Sequence, residues 1–109
     1  MIGFKANQIT TVPADALPPR LRWLTLTDNQ ITALPDAICR CTRLQKLLLA
    51  GNRLTALPES LLDCRALELL RISANAIATL PDGLLDLPRL CWLAVAGNPG
   101  WRALAGEPA

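Results

Sequence analysis

The chain has 109 residues, 51% of them hydrophobic, with a formal net charge of +2 and no histidine. That length makes one domain with a modest core. The small charge and the absence of any Lys/Arg run argue against nucleic acid or an anionic membrane as a partner. The missing imidazoles remove the commonest general base and metal ligand.

The first predicted element is a strand opening the chain. Ile2 and Phe4 are its inward residues, and Asn7, Ile9, Val12 and Pro13 follow. This is an imperfect first copy of a unit that then recurs in register. Leu21, Leu44, Leu67 and Leu90 are spaced by 23 residues, as are Asn29, Asn52, Asn75 and Asn98. Pro35, Pro58 and Pro81 share the spacing. Paired apolar positions fall at Leu24/Leu26, Leu47/Leu49, Leu70/Ile72 and Leu93/Val95. Ile31, Leu54 and Ile77 come after the asparagines, and Leu34, Leu57 and Leu80 just before the prolines. The unit reads LxxLxLxxNxLxxLPxxLxxLxx. Its first copy is one residue short, since Asn7 to Asn29 is 22, and the deletion lies around Leu17-Pro18-Pro19. Two prolines there favour an extended return and not a helical turn.

A fixed period of this length is the signature of a solenoid. The pattern over residues 2 to 98 resembles the leucine-rich-repeat family, most closely its 23-residue intracellular class with "LP" after the asparagine turn. It is less similar to the shorter repeats of enteropathogen ubiquitin-ligase effectors. Stretches such as GFKANQI, LRWLTLTDNQI, CTRLQKLLLAGNRL, ALELLRISAN and LPRLCWLAVAGNP resemble the repeat region of bacterial proteins that join such repeats to a protein-kinase domain. The resemblance implies an α/β solenoid: a right-handed superhelix with a parallel concave β-sheet and short helical or extended convex segments. One domain is expected over 1–109. It comprises a partial repeat at 2–20, repeats at 21–43, 44–66 and 67–89, a partial repeat at 90–98, and a tail at 99–109.

The residues explain why each repeat forms a coil. Leu24 and Leu26 alternate with Trp23, Thr25 and Thr27, which is strand periodicity. The leucines point inward, and strands of successive coils pair in parallel at about 4.8 Å. The chain then turns through a buried corner whose backbone groups need partners. An asparagine amide both donates and accepts, so Asn7, Asn29, Asn52, Asn75 and Asn98 should form a ladder. The proline starts the return segment. Asp36, Glu59 and Asp82 follow it, either as first-turn acids of short helices or as solvated convex charge, the reading favoured here. Ile38, Leu61 and Leu84 are the inward residues of that segment. No polar cap precedes Met1-Ile2, and Asn98-Pro99-Gly100 closes the last strand. Open ends suggest a piece of a longer chain or an oligomer pairing through edges near Phe4 and Val95. Trp101 is read as a plug over the last coil.

The candidate chemistry is sparse. Cys41 and Cys64 share an inward register and read as buried thiols replacing leucine. Stacking would allow a disulfide between them, which a reducing compartment disfavours. Cys39-x-Cys41 lacks the further ligands of a zinc site, and Cys91 reads as a partly exposed, inert thiol. Asp63, Glu68, Asp82 and Asp86 occupy different registers, and Ser60 and Ser73 have no histidine to activate them. Gly51, Gly97 and Gly100 form no phosphate-binding loop. No catalytic residue, cofactor or metal is therefore expected. Lys5 and Asn7 stand where a signal peptide needs an apolar run, and no stretch reaches the roughly 20 apolar residues of a membrane span. A cytoplasmic, membrane-free protein is expected.

The outward strand positions are the one promising surface. They form three columns: Trp23, Lys46, Leu69, Trp92; then Gly3, Thr25, Leu48, Arg71, Ala94; then Lys5, Thr27, Ala50, Ser73, Ala96. Asp28 borders them. Trp23, Leu48, Leu69 and Trp92 would expose large apolar groups, and such patches mark interaction sites. Three strand spacings separate the tryptophans, about 15 Å. The expected partner is a protein or peptide, or a neighbouring domain of the same polypeptide, contacting Trp23, Thr25, Lys46, Leu48, Leu69, Arg71 and Trp92. The alternatives are a regulatory fragment of a larger bacterial kinase and an oligomer-forming segment.

Overall fold

A computed structural model describes residues 2–3 and 7–99 of the chain. Five short strands, β1 (Ile2–Gly3), β2 (Trp23–Thr25), β3 (Lys46–Leu48), β4 (Leu69–Arg71) and β5 (Trp92–Ala94), form one parallel sheet in sequence order. The register repeats: Leu24 pairs with Leu47, Leu47 with Leu70, and Leu70 with Leu93. A one-residue slip would turn every leucine outward, so the alternating pattern locks the coils in line. This is a leucine-rich-repeat solenoid, as its periodicity predicts.

The core runs along the solenoid axis. Leu24, Leu26, Leu47, Leu49, Leu70 and Ile72 fill it from the sheet side, and Ile38, Leu61 and Leu84 close it from the convex side. All are at most 3% exposed. A fully buried aliphatic side chain contributes roughly 1.5–3 kcal/mol, so the column of stacked leucines is the main stabilising term. The core thins toward the ends, where Ile2, Ile9, Val12, Leu80, Leu90 and Leu93 are only partly buried. Among the described residues no helix is long and apolar enough to cross a membrane.

The convex returns are 3-10 turns: Ala14–Ala16, Asp36–Arg40, Glu59–Asp63 and Leu84–Asp86. The first corrects the expected extended return. Pro13 is extended, and the turn forms directly behind it. Pro18 and Pro19 come later and occupy a β-turn in which the Leu21 N–H donates to the Pro18 carbonyl at 3.0 Å. Proline at the second position of such a turn matches its fixed φ. Asp36 and Glu59 do begin their turns, exposed to solvent. Asp82 opens a turn as well, closed by the Leu84 N–H on the Pro81 carbonyl at 3.2 Å, but Gly83 at φ +90° takes it out of 3-10 geometry, which begins at Leu84.

A left-handed residue precedes four of the ladder asparagines, Asn29, Asn52, Asn75 and Asn98: Asp28 (φ 60°), Gly51 (φ 73°), Ala74 (φ 55°) and Gly97 (φ 82°). This conformation bends the chain off the sheet. Glycine reaches it without steric cost, and Ala74 does not. Trp101, Gly100, Phe4 and Lys5 lie outside the described residues.

Candidate functional site

The sheet is held at its outgoing edge by the asparagines. Asn52 Oδ1 accepts the Ile31 N–H at 3.1 Å, and its Nδ2 donates to the Leu49 and Leu26 carbonyls, each at 2.9 Å. Asn75 accepts from Leu54 and donates to Ile72 and Leu49. Asn98 accepts from Ile77 and donates to Val95 and Ile72. Asn29 accepts from Ile9 and donates to Leu26. Each amide therefore ties its own coil to the one before. Asn7 holds the same register on the first coil and is exposed.

The first outward column lies in register across four strands, Trp23 beside Lys46, Lys46 beside Leu69, and Leu69 beside Trp92. Thr25, Leu48, Arg71 and Ala94 align in the second, with Gly3 beside Thr25. All seven residues singled out from the sequence thus share one face. Trp92 is 56% exposed and Trp23 38%. Leu48 and Leu69 are half-buried, less open than expected, because each interior position is flanked by a side chain on either neighbouring strand. The Lys46 Nζ lies 4.5 Å from the Trp23 ring centroid, a cation–π contact. Sequence spacing placed the two residues side by side; only the side-chain geometry gives the contact.

The cysteines serve packing. Cys41 and Cys64 are fully buried. The Cys64 thiol donates to the Ile38 carbonyl at 3.2 Å and the Cys41 thiol to the Pro18 carbonyl at 3.7 Å. Burial, and then the neighbouring Cys41 and Asp63, push the Cys64 pKa up to about 12. Burial, and then Cys39, raise that of Cys41. Cys91 is exposed and Cys39 half-buried, and all four thiols are free. Among the described residues no three side chains gather as a metal site.

A profile described as "Leucine rich repeat" matches residues 4–54 and 42–99. The chain belongs to the leucine-rich-repeat family. Among solved structures, this repeat protein is similar to a leucine-rich-repeat protein of Leptospira interrogans, with 38% identity and a TM-score of 0.81 over 85% of this chain. It is also similar in fold to the leucine-rich-repeat ectodomain of the receptor kinase SOBIR1 from Arabidopsis thaliana, with 24% identity and a TM-score of 0.68 over 82% of this chain. The chain spans 24% of the Leptospira chain and 51% of the Arabidopsis one. A search of curated proteins finds no match. The leucine-rich repeat is a non-catalytic scaffold that generally serves protein–protein interaction.

Proposed function

We propose that this chain takes a protein or peptide partner on its concave sheet. The reading is supported above all by the column of Trp23, Lys46, Leu69 and Trp92 in strand register, with two tryptophans open to solvent. Tryptophan and arginine are over-represented among binding hot spots, and Arg71 stands beside Leu48 in the next column. Leu48, Leu69 and Thr25 supply a flat, half-buried floor. A pull-down comparing the wild-type chain with a Trp92→Ala/Leu69→Glu variant tests it. The variant should lose the partners the wild type retains, and equal recovery of the same partners would remove the concave face from consideration.

A second reading makes the chain a recognition or regulatory fragment of a larger bacterial, cytoplasmic protein kinase. It is favoured by the resemblance of stretches such as LRWLTLTDNQI and LPRLCWLAVAGNP. A reading frame running past Ala109 into a Gly-rich loop, a strand lysine and an HRD-type loop would support it. The weaker reading, a segment that oligomerises through its ends, calls for a mass that rises with concentration.

A further inference from the structure

The turns that lead into the strands share one geometry. In Pro18–Leu21, Cys41–Leu44, Cys64–Leu67 and Leu87–Leu90, the fourth residue's N–H donates to the first residue's carbonyl at 3.0, 3.1, 3.1 and 3.3 Å. Each turn carries one arginine: Arg20, Arg43 and Arg89 at the third position and Arg65 at the second. All four are exposed. The coils are zipped together right up to these turns, since Lys46, Leu69 and Trp92 donate their N–H groups to Arg22, Gln45 and Glu68. The turns therefore stack in line, at about 5 Å per coil.

From these observations we propose that this edge is a second recognition surface, an arginine ladder that binds an extended carboxylate-rich protein segment. It goes beyond the concave-face reading and stands independently of it. Along the edge and the start of the strands stand Arg20, Arg22, Arg43, Lys46, Arg65 and Arg89, against three carboxylates: Glu68, and Asp63 and Asp86 just ahead of the last two turns. The acids Asp36, Glu59 and Asp82 lie on the convex side of the same coils. The small net charge thus hides a segregated one, and a basic edge steers an acidic partner. Arginine is suited to this task, because its planar fork meets a carboxylate with two parallel hydrogen bonds. The ladder spans about 15 Å, the length of an extended segment of roughly five residues.

One feature favours protein over single-stranded nucleic acid, whose binding relies on aromatic stacking platforms. None of the four turns contains an aromatic residue, and of the two tryptophans that follow them Trp23 already carries the Lys46 ammonium, which leaves the Trp92 ring open.

The test is fluorescence anisotropy on the full chain at low salt, with a labelled peptide of roughly ten glutamates as probe and a matched lysine peptide as control. The glutamate peptide should bind, and weaken steeply as salt screens the contact. Arg43→Glu/Arg65→Glu should weaken it about tenfold or more, as expected for reversed charges at a contact. Arg43→Lys/Arg65→Lys, with an unchanged melting curve to exclude misfolding, should bind between the wild type and the reversed variant, keeping the charge and losing the paired hydrogen bonds. Trp92→Ala should leave it unchanged. Four results would overturn the proposal: no preference for glutamate over lysine; an equal loss from Arg53→Glu as from Arg43→Glu, meaning bulk charge acts alone; loss with Trp92→Ala but not with the arginine reversals; or tighter binding of an oligo-dT of matched length.

Discussion

Asp28, Gly51, Ala74 and Gly97 share a left-handed backbone, yet only two of them are glycine. For a residue with a Cβ this conformation costs roughly 1–2 kcal/mol. Ala74→Gly should therefore raise stability, by about 0.5–1 kcal/mol once the entropy of the unfolded glycine is subtracted. At Gly51 the reverse change meets two penalties, because a Cβ there would collide with the Asp28 carboxylate as well as strain the backbone. Gly51→Ala should lower stability by roughly 1–3 kcal/mol. Urea denaturation of the two variants checks both signs. The thiols make a second comparison. Native protein should react with a thiol reagent at Cys91, more slowly at Cys39, and at Cys41 and Cys64 only after denaturation, since thiolate formation and access both fail in the core. Their raised pKa values also fix a direction with pH. Below about pH 9 the Cys64 thiol is protonated in both states. Above it the unfolded thiol ionises first, unfolding releases a proton, and stability falls as pH rises toward about 12. Melting temperature should drop over that window less steeply in Cys64→Val than in the wild type.

Each coil spends few residues on regular structure: strands of three residues, apart from the two described in β1, and 3-10 turns of three to five. Elements this short are not stable alone. They persist because the asparagines tie successive coils and the leucines stack. Asn52 bonds one N–H and three carbonyls across two coils. Asn52→Ala leaves the buried Ile31 N–H without its partner, at a cost of roughly 1–3 kcal/mol, whereas the Leu26 and Leu49 carbonyls lose one donor each and keep those of Asn29 and Asn75. The measured loss should exceed that of the same change at the exposed Asn7, and thermal melts of the two variants test the ranking. The last return differs from the two before it. Gly83 shortens its 3-10 stretch to Leu84–Asp86, within which Leu85 is 66% exposed. The Pro81-Asp82-Gly83 tripeptide carried the signal, since Gly replaces the Ala37 and Ser60 of the earlier repeats.

At the scale of the whole molecule, a solenoid has a core whose depth depends on the number of neighbouring coils. Leu70 is wholly buried between coils on either side, whereas Leu93, at the same register, is partly exposed. Leu70→Ala should cost about 2–5 kcal/mol, and Leu93→Ala clearly less, which chemical denaturation would show. The same stacking turns single residues scattered 23 apart into continuous rows, and this is why both candidate surfaces are rows: Trp23, Lys46, Leu69 and Trp92 on the sheet, and an arginine in each lead-in turn at its side.

The 23-residue period by itself determined the solenoid, the inward leucines, the asparagine ladder and the membership of the outward columns. A repeat in register admits one stacking, and β alternation assigns each residue to a face. Tertiary structure alone decided how open each position is and what it touches. The half-burial of Leu48 and Leu69, the Lys46 ammonium over Trp23 and the late start of 3-10 geometry in the last return depend on neighbours and torsions that spacing does not encode. The early prolines show the same limit. Pro18 and Pro19 read as an extended return, but the chain fits a 3-10 turn ahead of them, where Leu17 drops into the core at 6% exposure.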